Sequence, residues 1–288
     1  MTTLRNVLGQ AEQQGVAVGH FNVSDLVALK GIFAAARDLG VPVLVGVSEG
    51  ERAFMGVRQV AALVASIRDE YAYPIFLNAD HTRSLANAEA AARAGFDEVL
   101  FDGSALAYEE NVEQTRRAVE AIKSIDPSIV VEGELGYIGS SSEILEAAPA
   151  GLGQLTTPEE ARQFVDATKI DVLAPAVGNM HGMLRSMARG EAAKRLNIKR
   201  IAEIKEAARI FLTLHGGSGT HDDDFRQAIK AGMTIVHINT ELRLAWRRGL
   251  EAALAKEPDE IAPYKILPGA LQAVQEVVRS RLQLFNRV

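Results

Sequence analysis

The sequence predicts an α/β fold, a parallel (β/α)8 TIM barrel with an extra C-terminal helix. Short apolar runs alternate with longer stretches of helical periodicity, and about eight such strand-then-helix units can be traced. The runs are continuously apolar rather than alternating, as expected of parallel strands covered by helices. The open, doubly wound alternative wants a G-x-G-x-x-G after its first strand, and this sequence lacks one there. At 288 residues the chain suits one such barrel, so a single domain over residues 1–288 is expected.

Each unit has its own signals. "VAVGHFN" (16–22) is followed by "DLVALKGIFAAARDLG", and "VPVLVGVS" (41–48) precedes a helix around 57–69. "PIFLNAD" (74–80) leads to "SLANAEAAARAG", with Ser84 as N-cap and Gly95 as stop signal. "EVLFDGS" (98–104) precedes a helix around 109–124. "SIVVEGEL" (128–135) is followed by a loop and by "TPEEARQF", where Thr157 caps and Pro158 takes the first helical position. "DVLAPAV" (171–177) precedes a basic loop and "IKRIAEIKEAA"; "IFLTLHG" (210–216) precedes "DDDFRQAIKAG". "TIVHINT" (234–240) precedes "ELRLAWRRGLEAALAK", and the extra helix spans about 268–284. No linker or solenoid repeat interrupts the series.

Composition narrows the chemistry. The net charge of −6 gives no global reason for a nucleic-acid partner, and no apolar run is long enough to span a membrane. The N-terminus has neither a signal-peptide core nor an Arg-rich transit character, so a cytoplasmic location is expected. With no cysteine, any metal must be held by histidines and carboxylates, which suits zinc.

Polar residues mark the C-terminal ends of the strands, where barrels build their active sites. In order they are Asn22, Ser48, Asp80 with His81, Asp102, Glu132 with Glu134, His181, His215, and then His237, Asn239 and Thr240. His81, His181 and His215 come from distant parts of the chain and would converge as an open three-histidine zinc site. Asp80 would stand beside that metal, able to exchange a proton with a substrate. "HGGSG" and "NTELR" each open a helix after the seventh and eighth strands, a placement suited to phosphate. His20, inside the first strand, reads as a buried, hydrogen-bonded core residue. His221 reads as a surface or capping residue.

These motifs together resemble the class II, metal-dependent ketose-bisphosphate aldolases, the fructose- and tagatose-bisphosphate aldolase family. The anchors are "FNV", "PVLVGVSEG", "NADH", "FDGS", "VEGELG", "GNMHG", "LHGGSG" and "HINTELR", and they run nearly end to end. The resemblance implies zinc on His81, His181 and His215, with Glu134 serving an alternative metal position. It implies Asp80 as the proton carrier. It implies a dihydroxyacetone phosphate site at Gly182, Gly216, Gly217, Ser218 and the stretch His237, Ile238, Asn239, Thr240; Asn22, Ser48 and Asp102, at their strand ends, are further substrate-binding candidates. It also implies a monovalent cation (Na+ or K+) near that phosphate and a homodimer or homotetramer. The partner would be a small-molecule sugar phosphate, with no nucleic acid and no membrane.

Three departures bear on the substrate. His237 stands where the family commonly has Asn, and Arg185 where a Lys is common. Pro263 replaces an Arg that in the family holds the distal phosphate across a subunit boundary. The loop "MLRSMARGEAAKRLNIKR" is rich in cations, and two readings stay open: a solvated face, or Arg185 or Arg189 gripping the distal phosphate. On the loop after the fifth strand, Glu143 is the first candidate for a second base, with Glu146 and an inert solvated carboxylate as the alternatives. The expected reaction is reversible aldol cleavage of a ketose bisphosphate to dihydroxyacetone phosphate and an aldehyde. A class II aldolase for another ketose 1-phosphate, a zinc hydrolase and an inactive sugar-phosphate-binding barrel are the rivals.

Overall fold

Eight parallel strands close on themselves in the order β1-β8-β7-β6-β5-β4-β3-β2 in the computed structural model, which describes residues 2–139, 141–149 and 151–288. The strands are β1 (Val18–Asn22), β2 (Val43–Val47), β3 (Ile75–Thr82), β4 (Glu98–Phe101), β5 (Val130–Leu135), β6 (Val172–Pro175), β7 (Phe211–Leu214) and β8 (Met233–Ile238). The helices in chain order are α1 (Leu4–Gln14), α2 (Leu26–Leu39), α3 (Glu49–Met55), α4 (Val57–Tyr71), α5 (Leu85–Ala94), α6 (Tyr108–Ile125) and α7 (Pro158–Thr168). They continue with α8 (Arg185–Ala188), α9 (Ile198–Ala208), α10 (Asp222–Lys230), α11 (Thr240–Lys256), α12 (Pro263–Ile266) and α13 (Pro268–Asn286). This is the expected barrel with its extra C-terminal helix. Among the described residues, no helix is long and apolar enough to cross a membrane.

The local signals act as anticipated. Ser84 accepts from the Asn87 N–H, Gly95 ends α5 in the left-handed region, and Thr157 forms a capping box with Glu160 ahead of Pro158. His221 caps α10 by accepting from the Asp223 N–H. Helix α1, a short ribbon and the short helices α3, α8 and α12 lie outside the strand-helix count. Helix α1 carries Leu4, Val7, Leu8 and Ala11 on one face and packs them against Val18, Leu44, Phe76, Val130, Val172 and Ile235. It therefore plugs the barrel at the N-terminal ends of the strands. A two-residue parallel ribbon, Ile144–Leu145 with Met183–Leu184, ties the loop after β5 to the loop after β6.

The period of two along a strand then stacks the barrel interior in layers. Two residues beyond the apolar floor come His20, Asn78, Glu132 and His237; Glu98 and Thr213 complete this polar layer, and all six are buried. Two residues further come Asn22, Asp80 and Glu134, at the mouth. Strand register thus sets the depth of Asn22, Asp80 and Glu134.

The middle layer corrects one expectation. His20 is buried, but neither ring nitrogen has a hydrogen-bond partner. Its ring instead stacks on His237, its register partner across β1 and β8, with centroids 3.4 Å apart and planes 8° apart. Gly46 on β2 makes the room: a Cβ there would sit 2.0 Å from His20 Cε1. Burial, against weaker support from Asp80, pulls His20 down to about 4, so the ring is neutral at ordinary pH.

Candidate active site

Three imidazoles meet at the mouth of the barrel. His81 sits near the end of β3, His181 follows β6 and His215 directly follows β7. One ring nitrogen from each lies within 4.8 Å of the others, and His81 Nε2 and His181 Nε2 are 3.2 Å apart. The second nitrogen of each ring is anchored. His81 Nδ1 donates to Asp102 Oδ2 at 3.0 Å, His181 Nδ1 donates to the Gly139 carbonyl at 2.6 Å, and His215 Nε2 pairs with Glu132 Oε1 at 2.7 Å. Such outer partners fix tautomer and ring direction, leaving one lone pair per ring for a metal. The donor set therefore fits a divalent ion, with the open fourth position of a catalytic site.

The backbone is strained where it presents His81. This residue has φ of 43°, in the left-handed region, at a register shift between Ala79 and Thr82 in the β3–β4 pairing. A non-glycine residue there is costly and persists only where its surroundings over-determine it. Arg52 helps hold the segment: its guanidinium donates to the Val47 and Asp80 carbonyls and to Thr82 Oγ1.

The charges around the cluster are coupled. Burial alone would lower His81, but Asp80, Asp102 and Glu134 override it and push it up to about 10. His181 and His215 are pulled down to about 3, first by burial and then by the charge on His81. Burial would raise Asp80, yet His81, His20 and His215 hold it well below the usual carboxylate range. Glu134, 3.4 Å from His81 Nδ1, is pushed up to about 8 by burial and by Asp102. The site thus calls for positive charge at its centre and keeps Asp80 ionised.

Asp80 is held on one side only. Asn22 Nδ2 donates to Asp80 Oδ2 at 2.9 Å, and the same amide donates to Glu51 Oε2 at 2.9 Å. Glu51 Oε2 also accepts from the Ser48 N–H, and Glu51 Oε1 accepts from Arg243 at 2.8 Å. Asp80 Oδ1 is buried and has no hydrogen-bond partner among the described residues, 3.8 Å from His81 Nε2 and 3.7 Å from His237 Nδ1.

Two spaces open beside this cluster. The inner one is lined by Asp80, the three clustered histidines, His237, Gly182, Gly216, Ser218, Asn239 and Thr240. Ser218 Oγ accepts from the Asn239 and Glu241 N–H groups, drawing its loop onto the start of α11. Gly216 is required: its φ is 60°, and a Cβ would fall 2.3 Å from the Met180 carbonyl oxygen. Gly217 and Ile238 fall outside this lining. The Gly217 N–H is spent on the His237 carbonyl, and Ile238 points outward into the apolar shell. The outer cleft, about 270 Å³, is lined by Ser48, Asp102, Tyr137, Ser142, Arg83 and Arg243, together with Asp80, His81 and His181.

Two of the anticipated residues stand away from both spaces. Arg185, on α8, is more than half exposed and pairs with Glu146. Glu143 is exposed, and its carbonyl accepts from the Met183 N–H within the short ribbon. Sequence reading passed over Glu51 and Arg83, which carried no motif, and gave no role to Arg243, the last residue of "HINTELR". It also left Lys194 as one cation in a charged run.

Comparison with known proteins agrees with this geometry. Residues 2–288 match the family described as "Fructose-bisphosphate aldolase class-II". A "Probable fructose-bisphosphate aldolase" of Bacillus subtilis (strain 168) is 33% identical over 289 residues, covering 99% of this chain and 98% of the relative. A "Sulfofructosephosphate aldolase" of Alkalicoccus urumqiensis is 30% identical, covering 98% of this chain and 95% of its own length. Among solved structures, the YdjI aldolase from Escherichia coli K12 superposes with a TM-score of 0.83 at 27% identity, covering 99% of this chain and 97% of that one. The chain belongs to the class II fructose-bisphosphate aldolase family, a family of lyases.

Proposed function

We propose that the protein catalyses zinc-dependent, reversible aldol cleavage of a ketose bisphosphate, fructose 1,6-bisphosphate or tagatose 1,6-bisphosphate, to dihydroxyacetone phosphate and an aldehyde such as glyceraldehyde 3-phosphate. One observation carries this reading. Three imidazoles with anchored outer nitrogens converge beside a carboxylate that is fixed at one oxygen and unpartnered at the other. His81, His181 and His215 would hold the ion, with Glu134 near enough to His81 to serve a second position. When bound, the divalent ion supplies Lewis-acid polarisation of the ketose carbonyl and stabilises negative charge on oxygen.

The chain's own residues do the rest. Asp80 Oδ1 takes the proton of the C4 hydroxyl as the C3–C4 bond breaks, and returns it in the condensation direction. Asn22, itself shared with Glu51, keeps Oδ2 occupied so that Oδ1 faces the substrate. Gly182, Gly216, Ser218, Asn239 and Thr240 form the wall that receives the phosphate of the donor half, with α11 opening toward it. The proton on the donor carbon needs a second base from the loop after β5. Glu143, on that loop but exposed and outside both spaces, is the candidate, with Glu146, paired with Arg185, as the alternative. On the acceptor side, Arg83 and Arg243 face the outer cleft and suit a second anionic group, a phosphate or, as in the name of the Alkalicoccus relative, a sulfonate.

The test is an aldol-cleavage assay on the purified protein, after exhaustive chelation and again after zinc is returned. Loss and recovery of ketose-bisphosphate cleavage supports the reading. Full activity in the metal-free protein would sink it, as would hydrolysis of a substrate without carbon–carbon cleavage.

A further inference from the structure

Four backbone carbonyls converge on one buried side chain beneath the inner space. Lys194 Nζ donates to the carbonyls of Met180 at 2.7 Å, Gly182 at 2.6 Å, Gly216 at 2.8 Å and Ser218 at 2.6 Å. The residue is 4% exposed, and no carboxylate touches its ammonium among the described residues. Lysine is rarely buried this deeply without an ionised partner. An ammonium has three N–H bonds, and here it meets four oxygens. A ring of carbonyl oxygens around a compact charge is how proteins replace the hydration shell of a monovalent ion.

The carbonyls come from telling places. Met180 and Gly182 flank His181, and Gly216 and Ser218 follow His215. The backbone of Lys194 is fixed by the same loop: its N–H donates to the Gly219 carbonyl at 2.8 Å, and its carbonyl accepts from the His221 N–H at 3.2 Å. One side chain therefore clamps together the two loops that carry two of the three clustered histidines and line the inner space. Burial pulls the Lys194 ammonium down from its ordinary range to about 7, with Glu241 acting against the shift. The four oxygens can only accept, so they favour the charged form further.

We propose that Lys194 is a tethered monovalent cation: its ammonium occupies a four-carbonyl cage under the phosphate wall, and the protein needs no Na+ or K+ there. The side chain takes the place of the Na+ or K+ expected from the resemblance. Its charge is not lost by dilution and favours an anion bound on the Gly182, Gly216 and Ser218 surface. The role beside a phosphate rests on the proposed aldolase function; occupation of the cage does not.

The test has two arms. Zinc-loaded wild-type protein is assayed for ketose-bisphosphate cleavage in tetramethylammonium buffer, then with Na+, K+ or ammonium added at matched ionic strength. The expected rate is the same in all four; activation of several-fold by K+ or Na+ overturns the proposal. In the second arm, Lys194→Ala opens the cage and Lys194→Met keeps it filled without charge. Both should lower cleavage by about thirtyfold or more, as leaving buried hydrogen-bonding groups unsatisfied does. K+ or ammonium should restore Lys194→Ala and leave Lys194→Met unchanged. The melting temperature is read in parallel, and only Lys194→Ala should rise with added ion. If Lys194→Ala keeps wild-type activity and gains nothing from any ion in either readout, the proposal fails. The melting readout and the ion dependence it reports hold even if no ketose phosphate proves to be a substrate, so failure of the aldolase reading stays separable.

Discussion

The two walls of the site are built differently. On the donor wall, Lys194, Ser218, His215 and Asp80 are buried, and glycines with positive φ bring backbone within contact distance of backbone. On the acceptor wall, Arg83 is 57% exposed and lies 3.5 Å from Asp102, while Arg243 is 47% exposed and pairs with Glu51. Their carboxylates are buried, Asp102 at 6% and Glu51 at 7%, so only the guanidiniums reach solvent. The donor wall is over-determined, as a fixed chemical step demands. The acceptor wall presents half-exposed guanidiniums anchored on buried carboxylates.

If that contrast is right, damage to the donor side should be catastrophic for turnover. Asp80→Ala should leave metal binding intact and lower kcat by roughly a hundred- to ten-thousand-fold, the range for lost acid–base catalysis. Metal content by elemental analysis and steady-state kinetics on the same sample decide it. A kcat within a few-fold of wild type would remove Asp80 from the proton path.

The next effect lies where the walls meet. Arg243, Glu51, Asn22 and Asp80 form one hydrogen-bonded chain, each link 2.8–2.9 Å. Glu51 touches no reacting atom in this reading; it positions Asp80 through Asn22. Glu51→Ala should lower kcat by roughly ten- to a hundred-fold with a smaller change in KM, since a buried hydrogen-bonded partner is lost. Glu51→Gln, which keeps an acceptor for Asn22, should recover most of that loss. Equal defects in both variants would mean that Glu51 matters only for folding.

Stability gives a third handle on the donor side. Gly46→Ala would drive a methyl group into the His20 ring, and overpacking of this kind costs about 1–3 kcal/mol. The melting temperature should fall, and His20→Ala in the same chain should restore much of it, because the two changes share one volume. An additive double variant would show that the His20–His237 stack does not set the fit.

How much of this could be read from the sequence follows the same divide. The strands and the histidine cluster were legible because each signal is local: an apolar run, its last polar residue, a glycine beside a histidine. His20 was legible only as buried. Its stacking partner is 217 positions away on the neighbouring strand, and the glycine that admits it lies on a third. Lys194 was hidden by its neighbours. In the run from Arg185 to Arg200 it reads as one more solvated cation, yet Arg185, Arg195 and Lys199 lie at the surface in ion pairs while Lys194 turns inward. Nothing in the spacing distinguishes it, since the four oxygens it meets belong to backbone. Glu51 was missed for a related reason: its partners come from β1 and α11, and only barrel closure brings them together.

The smallest predicted effect tests the acceptor wall itself. Arg185, the first guess for a distal anion, is committed to Glu146 outside the cleft. Arg83 and Arg243 both line the cleft beside Asp80 and His81; Arg83 lies 3.5 Å from Asp102, and Arg243 is bonded to the buried Glu51 at 2.8 Å. An incoming phosphate or sulfonate can meet the solvent-facing N–H groups of either guanidinium, and Arg offers such groups two parallel donors. Because the sites are exposed, each contact should be worth only about a few-fold to tenfold. The clean readout is a ratio, kcat/KM for the ketose 1,6-bisphosphate divided by that for the matching ketose 1-phosphate. Arg83→Ala and Arg243→Ala should each lower that ratio, and Arg185→Ala should not. The Arg243 change should also touch kcat through Glu51, whereas Arg83 should act on KM alone. If the ratio is unmoved in both variants, the second anionic group is held by other residues, and the difference between the two walls is not one of charge.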